Sequence, residues 1–99
     1  MQDLLQKYNM QGKINGDTVT LELTGKPVKY TTVIEEMFEE MKQKNPNAVI
    51  ELVPQGITRK FILNKDGWFY LQESGKLKQI KKKTVAVMTY KLSKGVVQG

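Results

Sequence analysis

The stretch from Thr32 to Lys44 constrains this chain more than any other. Val33, Ile34, Met37, Phe38 and Met41 fall on one stripe at helical spacing, and Glu35, Glu36, Glu39 and Glu40 face away from it. A helix of this length is stable in water mainly when its apolar stripe lies against another element. Thr32 followed by Glu35 has the capping-box pattern, which satisfies backbone N–H groups at a helix start. The acids lie towards the N-terminal end and Lys42 and Lys44 towards the C-terminal end, as the helix dipole favours, and Asn45-Pro46 stops the helix. The spacing therefore predicts a helix over 32–44 with one buried and one wet side.

Its packing partner must be a sheet, because most of the remaining chain reads in period two. Val19, Leu21 and Leu23 alternate with Thr18, Thr20, Glu22 and Thr24, which predicts a half-buried strand ended by Gly25-Lys26-Pro27. Before it, Asn15-Gly16 reads as the central pair of a type I′ hairpin turn between Lys13-Ile14 and Asp17-Thr18. Further strands are predicted over 48–53, 59–63, 68–71 and 76–80. They are separated by Pro54-Gln55-Gly56 and by two glycine-ended turns, Asn64-Lys65-Asp66-Gly67 and Gln72-Glu73-Ser74-Gly75. Both glycine-ended turns fit a type I turn closed by a left-handed glycine. Thr84 to Leu92, rich in β-branched and aromatic residues, predicts a last strand. Lys81-Lys82-Lys83 contains no Gly or Pro, so one long strand from Lys76 to Leu92, bent by a bulge at the lysines, fits equally well. Leu4, Leu5 and Tyr8 suit a short amphipathic helix near the start. The predicted fold class is α+β: one main amphipathic helix packed on an antiparallel β-meander, with a short N-terminal helix and hairpin. At 99 residues the chain has room for a single core and hence a single domain, 1–99.

Two absences exclude much chemistry. The sequence contains neither cysteine nor histidine, so disulfides, thiolate or imidazole metal sites, and Ser-His-Asp or Cys-His nucleophiles cannot be assembled. Ser74 and Ser93 are the only serines. There is no Gly-x-Gly-x-x-Gly, phosphate-binding loop or EF-hand spacing. Glu35/Glu39 and Glu36/Glu40 are spaced as carboxylate pairs, but opposite an apolar stripe they read as a solvated face rather than a cation site. The expectation is a protein that is not an enzyme, with no cofactor and no metal. The longest apolar uncharged run, Thr84 to Tyr90, is too short to span a bilayer. Met1 to Met10 includes Asp3 and no long apolar stretch, unlike a signal peptide. A soluble, cytoplasmic protein is expected, with no membrane partner.

Charge supplies the functional signal. Residues 1–54 hold six Lys and eight Asp/Glu, net −2, whereas residues 55–99 hold ten Lys/Arg and only Asp66 and Glu73, net +8. Such asymmetry points to a polyanionic partner at one end of the molecule. Arg59, Lys60, Lys76, Lys78, Lys81, Lys82, Lys83, Lys91 and Lys94 are interleaved with Phe61, Trp68, Phe69, Tyr70 and Tyr90. Proteins that bind single strands combine cations for phosphates with aromatic faces for bases, so Trp68 and Tyr70 join the lysines as candidates. Arg59 is the only arginine, which argues against bidentate reading of guanine and for weak sequence specificity. The expected function is a small nucleic-acid-binding accessory protein, of a size and composition that suit a phage or mobile element. The alternative is a protein-interaction module, an inhibitor or adaptor, docking through Glu35, Glu36, Glu39 and Glu40 or an exposed sheet edge. That acidic face could also meet the basic half of a second copy in a homodimer. The lysines also have a plainer role, since charges flanking the uncharged 84–90 stretch suppress aggregation.

Gly67-Trp68-Phe69-Tyr70-Leu71 followed by Ser74-Gly75-Lys76-Leu77 resembles one unit of the choline-binding or glucan-binding cell-wall repeat. In that family, aromatics on successive hairpins of a solenoid build ligand sites. The likeness spans about eleven residues of the 99 and occurs once. A solenoid needs stacked repeats to bury its faces, so the resemblance is one of hairpin grammar.

The helix assignment makes a direct prediction. Met37→Asp places an unpaired charge in the buried stripe and is expected to lower stability by several kcal/mol, while Glu39→Gln changes it by less than about 0.5 kcal/mol. Thermal unfolding of the two variants checks this, and a Met37→Asp protein as stable as the parent would refute the helix or its facing.

Overall fold

In the computed structural model, which describes residues 2–23, 27–54 and 59–91, the core is built where a long helix meets a sheet. The elements are α1 (Gln2–Lys7), β1 (Gly12–Asn15), β2 (Thr18–Leu23), α2 (Pro27–Lys44), β3 (Val49–Pro54), β4 (Phe61–Asn64), β5 (Gly67–Leu71), β6 (Leu77–Ile80) and α3 (Lys82–Tyr90). The six strands lie in sequence order in one sheet. The α+β class, the meander and the main helix agree with the sequence reading. The turns expected at Gly25-Lys26 and Gln55-Gly56, and Lys94, lie outside the described residues.

Every neighbouring pair of strands is antiparallel except β2 and β3, which run parallel. The reason is topological. The chain leaves β2, returns along α2, and enters β3 in the same direction, as a crossover helix requires. The helix is also longer than the capping box implied. It begins at Pro27, and Thr32 lies inside it. Proline at a first helical position has φ already set for the helix and gives up only an N–H that would have no intrahelical partner. The Thr32–Glu35 pair is thus an internal i,i+3 spacing rather than a cap. Thr31, buried on this helix, is satisfied by donating to the Val28 carbonyl at 2.8 Å.

The buried stripe is the expected one: Ile34, Met37, Phe38 and Met41 are core residues, with Val33 partly buried against them. They face two rows of sheet residues. Register aligns Ile14, Val19, Ile50, Leu63, Trp68 and Ile80 in one row and Leu21, Leu52, Phe61 and Tyr70 in the next. Leu5 of α1 joins the same core, so α1 and α3 lie on the side of the sheet that α2 occupies. The opposite side carries Thr18, Thr20, Glu22, Val49, Glu51, Val53, Ile62, Phe69 and Leu71, all partly buried or exposed.

Two corrections concern turns and the last element. In the first hairpin Asn15 pairs with Thr18, so the central residues are Gly16-Asp17 and not Asn15-Gly16. Only Gly16 has positive φ, 62°, which is the pattern of a type II′ turn with Gly in the first central position. The later turns match expectation, with Gly67 (φ 118°) and Gly75 (φ 88°) as the left-handed closing residues, and Asn64 Oδ1 accepting from the Asp66 N–H at 2.8 Å.

The second correction is larger: residues 84–90 of the expected strand belong to the helix α3, Leu92 lies outside the described residues, and the three lysines are not a bulge in a strand, since Lys81 is the extended residue before α3 and Lys82 and Lys83 open its first turn. Val85, Met88 and Thr89 stand at i, i+3 and i+4, and α3 packs against α2 and β5. Burial of one side of this segment outweighs the strand preference of its Val and Thr residues. The Thr89 hydroxyl donates to the Val85 carbonyl at 2.7 Å, so its burial leaves no orphaned donor.

A helix and a strand make opposite predictions here. Val85 is fully buried and Val87 is 47% exposed, whereas in a strand both would share one face. Val85→Asp is expected to destabilise by several kcal/mol and Val87→Asp by less than about 0.5 kcal/mol. Equal losses in denaturant unfolding would restore the strand.

Candidate nucleic-acid interface

Of the basic and aromatic candidates that the sequence singles out, ten lie among the described residues, and the fold divides them into groups. Lys76 precedes the edge strand β6, Lys78 lies within it, and Lys81, Lys82 and Lys83 follow where the chain turns into α3. All five are exposed. Lys76 and Lys78 are two residues apart on extended chain, about 6.6 Å. Lys81 is extended (φ −88°, ψ 153°) and is the residue before α3, but it makes no side-chain cap. The first N–H groups of a helix have no intrahelical partner, so backbone donors and lysines share this corner. No acid occupies the first turn of α3, where the helix dipole favours one. Lys91 follows the other end of that helix, about 14 Å away at 1.5 Å per residue, and is not part of the corner.

Other candidates are already engaged. The Arg59 guanidinium donates to Glu73 Oε1 at 2.7 Å. That hydrogen bond, with the nearby Tyr70 hydroxyl, holds Arg59 above the ordinary guanidinium value, so it stays charged throughout the working range. Lys60 is on the other side of the sheet, with Nζ 3.5 Å from Glu51 Oε2, and Glu51 also accepts from the Thr20 hydroxyl at 3.2 Å. Lys82 Nζ lies 3.1 Å from Glu35 Oε1 and ties α3 to α2. Among the described residues Lys76, Lys78, Lys81 and Lys83 have no such acid partner.

The aromatics divide by strand parity. Trp68 is 6% exposed and belongs to the core beneath the helices, so its ring is not available for stacking on a base. Tyr70 is half-buried on the same side, its ring centroid 5.2 Å from that of Phe61. Phe69, between them, points to the side away from the described helices. Strand alternation alone makes Trp68/Tyr70 and Phe69/Leu71 face opposite ways. It could not tell which pair faces the helices, since both are large and apolar.

The acidic face of α2 is partly used within the molecule. Glu35 holds Lys82 of α3. Glu40 Oε1 accepts from Lys7 Nζ at 3.3 Å and from the Tyr8 hydroxyl at 3.4 Å on α1. The hydrogen bond and charge of Glu40 raise the Lys7 pKa, and partial burial, then Glu40, raises that of Tyr8. Glu36 and Glu39 remain exposed. Among the described residues no three carboxylates converge as a metal site would need. A groove of about 570 Å³ lies at the other edge of the sheet, lined by Asn9, Met10, Gln11, Gly12, Lys13, Thr20, Glu22 and Tyr30. It holds one carboxylate and one ammonium group and lies far in strand order from the basic corner. Among the described residues no helix is long and apolar enough to cross a membrane.

No protein family, curated protein or solved structure matches this chain. The site's own geometry is therefore the ground for a functional reading.

The burial of Trp68 makes a prediction opposite to that of a stacking residue. Trp68→Ala is expected to lower stability by about 3–5 kcal/mol through the cavity it leaves. A shift in thermal midpoint measured without any ligand checks it, and an unchanged midpoint would return Trp68 to the surface.

Proposed function

We propose that this protein is a small, non-catalytic nucleic-acid-binding accessory protein with weak sequence specificity, acting in the cytoplasm. Its size and composition suit a phage or mobile element. The observation that carries this reading is the row of exposed lysines without acid partners, Lys76, Lys78, Lys81 and Lys83, along one sheet edge and the start of α3. Like charges so arranged repel one another, and those at the N-terminus of α3 also oppose its dipole. A phosphate backbone relieves both penalties. Lys82, shared with Glu35, and Lys91, at the far end of α3, flank the row. Lysines neutralise phosphates as point charges, without the fork that reads a guanine edge, so affinity should depend on salt far more than on sequence.

The interaction-module reading ranks second because two of its four glutamates, Glu35 and Glu40, already hold α3 and α1.

The test is a titration of a labelled single-stranded oligonucleotide at several salt concentrations. On single strands each phosphate contact contributes about −0.7 to the slope of log K against log salt. Replacing Lys76, Lys78, Lys81 and Lys83 together by Gln should make the slope shallower by up to about 3. Replacing Lys13, Lys29, Lys42 and Lys44 by Gln removes the same charge elsewhere and should change the slope little. If the parent shows no binding at about 50 mM salt, where phosphate contacts are strong, the reading fails and the lysines serve to keep the β6 edge from pairing with other strands.

A further inference from the structure

Register places Lys78 opposite Tyr70, and Tyr70 opposite Phe61, so all three stand on the helix side of the sheet. Side chains at directly opposed positions are about 5 Å apart at Cβ. At this end the ladder continues one step beyond the strands. The Leu71 N–H donates to the Lys60 carbonyl at 3.1 Å, and the Gln72 N–H to the Lys76 carbonyl at 2.9 Å. By alternation Arg59, Gln72 and Lys76 then form the next row on the same side. The Tyr70 hydroxyl lies close enough to the Arg59 guanidinium to act on it, as that placement requires. Arg59, Lys76 and Lys78 are exposed, with Tyr70 and Gln72 half-buried between them. Among the described residues the acid that reaches this corner is Glu73, in the β5–β6 turn, which accepts from Arg59. Its side chain is 81% exposed, so the pair contributes little, and the guanidinium keeps further N–H donors. Three positive groups against one carboxylate leave the corner with a local charge of +2.

We propose that this corner holds the terminal phosphate of a nucleic-acid strand, with Arg59, Lys76 and Lys78 meeting its charge and the Tyr70 hydroxyl donating to one of its oxygens. This rests on the nucleic-acid reading above and adds recognition of a strand end to it. Charge decides the ligand. An internal phosphodiester carries a single negative charge and leaves the corner positive. A phosphomonoester carries about −1.5 to −2 at pH 7 and offers three acceptor oxygens, which matches both the charge and the spread of donors. The planar fork of Arg59 can bind two of those oxygens at once, while the lysines act as point charges. Lys81 and Lys83, beyond the other end of β6, are left for the internal phosphates of the same strand.

The experiment compares oligonucleotides phosphorylated at the 5′ or the 3′ end with an unphosphorylated one longer by one nucleotide, so that all carry the same number of phosphates. The parent should bind at least one phosphorylated strand about 10-fold more tightly, the worth of one hydrogen bond to a charged group. Arg59→Gln and Lys78→Gln should each remove most of that preference, and Tyr70→Phe, which keeps the ring beside Phe61, should reduce it. Lys83→Gln should weaken all strands alike and leave the preference in place. Circular dichroism melts confirm that each variant is folded, and the parent's own comparison needs no variant. Equal binding of all strands by the parent, with the lysine-dependent slope intact, overturns the end site and leaves the nucleic-acid reading standing. Retention of the full preference by folded Arg59→Gln and Lys78→Gln also overturns it. Thymidine 5′-monophosphate should bind far more weakly than the phosphorylated strand. If it binds as tightly, the ligand is a small phosphomonoester and the strand end is overturned. Failure of the parent to bind any of the strands overturns both proposals.

Discussion

The structure depends on the contact between the apolar stripe of α2 and the two inner rows of the sheet. Ile34, Met37, Phe38 and Met41 cover Val19, Leu21, Ile50, Leu52, Phe61 and Leu63, and the fully buried side chains come largely from these residues. In a chain of 99 residues without disulfides, this one layer of apolar burial supplies most of the stabilisation. It also sets the topology. Because α2 returns the chain to the same end of the sheet, β2 and β3 must pair in parallel, and the later strands can then add as hairpins at β3's free edge. The two flanking helices complete the layer through Leu5 and Val85.

Electrostatics is arranged around that contact. α2 presents acids at its sides, and each neighbouring helix offers a lysine to one of them: Lys7 to Glu40 and Lys82 to Glu35. These are exposed pairs of modest strength, so their role is to orient α1 and α3 more than to stabilise them. The arrangement neutralises charge over the helical layer and leaves the unpaired lysines at the far edge of the sheet. Lys76, Lys78, Lys81 and Lys83, none of them in an ion pair among the described residues, thus cluster at β6 and the start of α3. Lysines on an edge strand also discourage pairing with another sheet.

Patterns that repeat within a few residues were legible from the chain. The alternation of β2, the stripe of α2 and the glycine-closed turns at Gly67 and Gly75 depend on local chemistry, and all appear in the fold. The longer helix start was missed because Pro27 followed Gly25-Lys26 and read as a terminator, although proline suits a first helical turn equally well. The basic edge was partly legible. The lysines were evident, but Arg59 and Lys60 looked equivalent to them until the fold brought Glu73 and Glu51 alongside.

The segment 84–90 separates what each level decides. By itself the sequence determined an α+β chain with a covered helix, alternating strands, a basic second half and neither a thiol nor an imidazole. Those follow from residue identity and short-range periodicity. Whether Thr84 to Tyr90 would be strand or helix was decided only by tertiary structure, because Val85 and Thr89 could be buried against α2 and β5 only with helical spacing. The same holds for Trp68 and Phe69. Adjacent strand residues always point to opposite sides, but which side is the inside depends on where α2 and α3 lie, and that is set by contacts distant in sequence.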